Sequence, residues 1–183
     1  MKNAILLHGT SCSPESYWFP SIRHYLEGKG YNVWVPQLPD SDVPDLKKQL
    51  PYVLNDGKFN EHTVIIGHSA GGPLTLSVLE SIDIKINKAI LVAGYARPKG
   101  DSPKPEPILQ KKYNWEKIRR NVKDIIFINS NNDPWGCDDR EGRYMFDHLG
   151  GTLIVRNGEG HMGSDKFNQP YRKFSLLEKM IDL

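Results

Sequence analysis

Val64-Ile65-Ile66-Gly67-His68-Ser69-Ala70-Gly71-Gly72-Pro73 ends a β-branched apolar run at a glycine and sets a lone hydroxyl among small residues. Such a run suits a strand buried on both faces. The small residues and Pro73 suit the first turn of a helix, where a missing N–H leaves no partner unsatisfied. The pentapeptide Gly67-His68-Ser69-Ala70-Gly71 fits G-x-S-x-G, in which a serine stands on a sharp strand-to-helix turn with its hydroxyl exposed at the sheet edge. The helix that follows opens with free N–H groups and a positive dipole end beside that serine.

Working outward, the same strand-then-helix alternation repeats. Apolar runs at 3–8, 32–36, 63–67, 88–93, 124–129 and 152–156 predict six strands. Amphipathic stretches at 15–30, 43–57, 70–82, 107–121, 138–151 and 170–183 predict helices between and after them, with Pro51 breaking or kinking the second. The class is therefore α/β, a parallel sheet with helices on both faces, and the 183 residues suit one domain spanning 1–183. Residues 97–108, with prolines at 98, 103, 105 and 107, suit neither helix nor inner strand. They read equally as a surface connection and as a small flap over the strand ends.

Composition narrows the function. A net charge of +2 gives no reason to expect a nucleic-acid partner, and the basic stretch 110–123 reads as the solvated face of a helix. No apolar run approaches the roughly 18 residues of a membrane span. The opening MKNAILLHG has an apolar run of about four residues, short of a secretory core, so the expected location is cytoplasmic. Two cysteines, Cys12 and Cys137, give no disulfide framework, and no metal-ligand spacing is present.

A serine hydroxyl needs a base to remove its proton, and the base needs a third group to hold it. The fifth strand runs into NSNNDPWG, presenting Asp133, and the sixth into RNGEGHMG, presenting His161. Both fall in loops after strands, at the edge where Ser69 is expected. The other histidines are weaker: His8 and His68 adjoin glycines as neighbours of the site, His24 and His148 fall within helices, and His62 at a strand start. Asp138 and Asp139 suit the cap of the next helix. The oxyanion hole is expected from the N–H of Ala70 and of Thr10, with Ser11 as runner-up for the latter. Among the aromatic residues near the strand ends, Tyr95 and Trp135 are expected with Ser11 in a substrate pocket, and Trp18 and Phe19 in helix–sheet packing.

With these residues in place, the chain resembles the small serine-hydrolase family of the α/β-hydrolase superfamily. The resemblance is carried by HGT after strand one, GHSAGG at the serine, NSNNDPWG at the acid and GEGHMG at the base. It implies a three-layer α/β/α sandwich with strand order 2-1-3-4-5-6 and no large cap domain. It also implies hydrolysis of a carboxylic ester or amide bond in a small molecule, no cofactor, and the roles of nucleophile, acid and base for Ser69, Asp133 and His161. In that order the strands preceding Cys12 and Cys137 lie three spacings apart, about 14 Å, so both are expected as free thiols. Without a cap the pocket is expected to be shallow and to take a short acyl group. Two other readings compete: a protein-binding module on a hydrolase scaffold, and a flavodoxin-like phosphate or nucleotide binder. The second lacks both phosphate-loop glycine patterns.

Overall fold

The computed structural model describes residues 1–99 and 105–183. Six strands, β1 (Lys2–Leu7), β2 (Tyr31–Trp34), β3 (Val64–His68), β4 (Ile86–Val92), β5 (Val122–Ser130) and β6 (Thr152–Arg156), form one sheet in the order β2-β1-β3-β4-β5-β6. Every pair is parallel, so each strand delivers its following loop to the same edge. The β1–β3 pair, aligned Ala4 with Val64 and Leu7 with Gly67, is where the strand order reverses direction. In open α/β sheets the crevice beyond the carboxyl ends at such a point is where ligands bind.

Helices α1 (Phe19–Gly28), α2 (Leu46–Asp56), α3 (Gly71–Ser81), α4 (Trp115–Arg120), α5 (Asp139–Leu149) and α6 (Ser175–Asp182) complete the layers. Contacts run in series from α2 through α3 and α4 to α5, while α1 meets α6. The sheet is thus covered by four helices on one face and two on the other. The central strand β3 is buried at all five positions, as its unbroken apolarity predicts. Helix α3 is buried from Gly71 to Leu79, so the amphipathic pattern expected over 70–82 does not hold: even Thr75 and Ser77 are inside, their hydroxyls donating to the carbonyls of Gly71 and Pro73.

The element boundaries differ from the sequence pattern in instructive places. The predicted helix 15–30 begins only at Phe19, because Pro20 suits a first helical turn and Ser13 and Ser16 tie the preceding residues into turns. Pro51 does not break α2, which runs through it after an Asp45 cap whose carboxylate accepts from Lys47 N–H. The predicted 107–121 helix shrinks to six residues, capped by Asn114. Before it, Ile108 and Tyr113 are buried and the backbone forms turns. The last helix begins at Ser175 rather than 170, after the positive-φ Tyr171.

The expectation of a connection or flap at 97–108 lies partly outside the described residues. Its described ends are docked: Leu46 N–H donates to Pro107 O, and Ile108 is buried. Cys12 and Cys137 are both free thiols. No helix among the described residues is long and apolar enough to cross a membrane.

Candidate active site

Loops following five of the six strands converge on a cavity of about 450 Å³ at the carboxyl edge of the sheet. Thr10, Ser11, Ser69, Tyr95, Trp135 and His161, all singled out from the sequence, line it. A cavity of this size suits a small molecule.

Ser69 sits in the turn between β3 and α3 at φ 53°, a left-handed conformation that costs a non-glycine residue energy and is held by its surroundings. Its N–H donates to Val92 O (3.0 Å), which pins the turn to β4. The flanking glycines are explained by space. A Cβ on Gly67 would lie 2.3 Å from Gly71 O, and one on Gly71 would lie 2.1 Å from Leu7 O. The helix can therefore start hard against the end of β1 only without those side chains. Gly9, after β1, comes as close to the serine: a Cβ there would lie 2.8 Å from Ser69 Cβ.

The first loop and the turn that carries Ser69, here called the elbow, also hold the predicted oxyanion donors. Among the described residues, neither Ala70 N–H nor Thr10 N–H donates to a protein acceptor. Ser11 N–H, the runner-up, is already committed to Ser41 O at 2.8 Å. Of the two alternatives in that loop, Thr10 is the one with its donor free.

Asp133 and His161 meet directly. His161 Nδ1–H donates to Asp133 Oδ2 at 2.7 Å, and both side chains are almost completely buried. The other carboxylate oxygen accepts from Trp135 N–H at 2.8 Å, so the Asp133 side chain is gripped by its own loop. With Nδ1 facing the carboxylate, the neutral imidazole presents a lone pair at Nε2.

The residues that hold His161 were not legible in the sequence. Gly160 N–H donates to Asn132 Oδ1 (2.8 Å) and His161 N–H to Gln169 Oε1 (2.9 Å). His68 Nε2–H donates to His161 O (3.0 Å), and Trp18 Nε1–H donates to Met162 O (3.0 Å). Three consecutive residues are thereby anchored from four directions. Trp18 and Phe19 are buried against His68, as core packing predicts, but Trp18 also supplies this anchor.

His68 is a second, different histidine. Burial first, and the nearby His161 second, push its pKa down to about 3. Donating from Nε2 as a neutral ring, it leaves Nδ1 buried with no partner among the described residues. His8 is also neutral by geometry, donating from Nδ1 to Gly9 O and accepting from Leu38 N–H; burial lowers its pKa as well. An unfolded histidine binds protons below pH 6.5, while folded His68 does not until about pH 3. The unfolded chain therefore holds more protons in that window, and stability falls as the pH drops through it, by at most about 1.4 kcal/mol per pH unit from this residue. Urea unfolding between pH 7 and 5 is expected to show the decline, and His68→Gln to flatten it; equal slopes in the two proteins would refute the assignment.

The cavity walls carry charges of both signs. Lys99 Nζ donates to both carboxylate oxygens of Glu106 (2.7 and 2.8 Å), and Tyr95 Oη–H donates to Glu106 Oε2 (2.7 Å). Across the mouth, Lys166 lies over the Trp135 ring, and Trp135 Nε1–H donates to Ser164 Oγ (3.3 Å). Trp135 remains 43% exposed at the rim, with Lys166 over its ring and Phe167 edge-on against it.

The architecture is that of the α/β-hydrolases. The ydeN gene product of Bacillus subtilis superposes with a TM-score of 0.89 over 100% of this chain and 97% of that one, at 21% identity. Est1E from Butyrivibrio proteoclasticus, solved with ferulic acid bound, superposes at 0.72 over 99% and 86%, at 12% identity. In sequence, the rat serine hydrolase RBBP9 is 27% identical over 157 residues, covering 85% of this chain and 83% of the relative. The serine hydrolase family model matches residues 4–178, and the chain belongs to that family.

Proposed function

We propose that this hydrolase cleaves the carboxylic ester, or the amide, of a small molecule through an acyl-enzyme on Ser69. The observation that carries the reading is the buried 2.7 Å contact between Asp133 and His161 Nδ1, where His161 lines the same cavity as a serine held at positive φ. Ser69 Oγ attacks the carbonyl carbon while His161 Nε2 takes its proton. Asp133 keeps the ring in the Nε2-accepting tautomer and stabilises the imidazolium. The developing oxyanion receives the N–H groups of Ala70 and Thr10, which donate to no acceptor among the described residues. The imidazolium then protonates the leaving alcohol or amine. A water deprotonated by His161 attacks the acyl carbon, and collapse frees the acid and Ser69.

Tyr95, Ser11 and Trp135 belong, in this reading, to the substrate pocket. A 450 Å³ cavity open beside the exposed Trp135 favours a short acyl group. Hydrolysis of p-nitrophenyl esters from acetate to palmitate is the test. Turnover is expected to be greatest at the short end. An optimum at the longest chains would refute the short-acyl reading, and no turnover of any ester or anilide by folded protein would refute hydrolysis at this site and favour the binding-module alternative.

A further inference from the structure

Cys137 plays no part in the steps above, yet it lies against the residues that do. Asp133-Pro134-Trp135-Gly136-Cys137 is a tight turn: Gly136 takes φ 74°, and its N–H donates back to Asp133 O at 3.2 Å. The turn returns the thiol beneath the carboxylate four residues earlier. Asn129 Nδ2–H donates to Cys137 O (3.0 Å), fixing it there. A carboxylate oxygen of Asp133, Sγ of Cys137 and a ring nitrogen of His161 all lie within 4.8 Å of one another, and all three residues are buried. Cys137 and His161 also face the cavity, so the cluster is reachable from solvent through the pocket.

We propose that Asp133, Cys137 and His161 form a reversible inhibitory site for a thiophilic divalent cation, with zinc the best fit. Carboxylate, thiolate and imidazole are a donor set that zinc accepts, with a fourth position left to water from the cavity. Tetrahedral bonds of about 2.3 Å to sulfur and about 2.0–2.2 Å to nitrogen and oxygen need donors roughly 3.2–3.6 Å apart. To reach this spacing the Asp133–His161 contact of 2.7 Å opens and Cys137 Sγ, within 4.8 Å of both partners, moves inward.

Charge supports the same ligand. Burial and the adjacent Asp133 carboxylate hold the thiol protonated well above its usual range, so two negative charges there are unfavourable alone. A dication cancels both. Binding forms the zinc–sulfur bond and releases the thiol proton to solvent, leaving the four-part cluster neutral. The inhibitory half rests on the proposed role of His161. Metal on Nδ1 leaves the ring with Nε2–H and no lone pair for Ser69; metal on Nε2 takes that lone pair directly.

Two measurements on the full chain test this and keep it separate from the hydrolysis reading. Cobalt(II) chloride added to the wild-type protein is expected to give a near-ultraviolet thiolate-to-cobalt charge-transfer band that survives Cys12→Ser and vanishes in Cys137→Ser and Cys137→Ala. Circular dichroism checks that each variant is folded. Zinc chloride is expected to stop ester turnover by the wild type, with EDTA restoring it, and to need roughly tenfold more metal or greater in Cys137→Ser. No band in the wild type, a band that persists in both folded Cys137 variants, or one lost in Cys12→Ser would overturn the site. The band does not depend on turnover, so failure of the Ser69 mechanism leaves it standing; full zinc sensitivity in Cys137→Ser would overturn the inhibitory role.

Discussion

Asp133→Asn is expected to lower kcat for p-nitrophenyl acetate by about 10⁴-fold with KM little changed. Asparagine keeps the shape of the side chain, and its Oδ1 still accepts from Trp135 N–H in the place of the native oxygen (2.8 Å). Its amide then faces His161 Nδ1 where a carboxylate oxygen stood 2.7 Å away. An amide donor requires a lone pair on Nδ1, so the ring carries its proton on Nε2 and offers nothing to the serine. The loss falls on the proton-transfer step rather than on substrate contact, hence on kcat. A variant of near wild-type rate would mean that the His161–Asp133 contact does not serve catalysis.

Gly71→Ala is expected to cost about 3 kcal/mol of stability, read as a shift in urea midpoint at unchanged slope. The added Cβ would lie 2.1 Å from Leu7 O and 2.8 Å from Leu7 C, both backbone atoms of a buried strand. No rotamer relieves a Cβ, so the helix start must move away from β1. That motion also separates Ala70 from Thr10, and activity is expected to fall with stability. A fully stable, fully active alanine variant would show that the elbow and β1 are not locked as described.

How much could be read beforehand follows from how local each signal is. Strand β3 and the serine turn are written in one decapeptide, because an apolar run, small residues and a proline constrain neighbours only. Asp133 and His161 are singled out by chain order, since parallel strands send every following loop to one edge, and the structure brings the two side chains into contact. Helix lengths were overestimated at 107–121 and 170–183, where apolar spacing continued through residues that the structure folds as turns and irregular backbone. Gln169, Trp18 and His68 were invisible as anchors of the His161 loop. Trp18 lies 144 residues from its partner and His68 lies 93 from its own. The approach of Cys137 to Asp133 and His161 likewise depends on a turn and on the packing of two loops.

The most direct trial is to treat the folded protein with a fluorophosphonate and map the adduct by mass spectrometry. A single adduct on the peptide containing Ser69, absent from Ser69→Ala and suppressed in His161→Gln, is the expected result. An adduct on another residue, or equal labelling of wild type and Ser69→Ala, would contradict the proposed nucleophile.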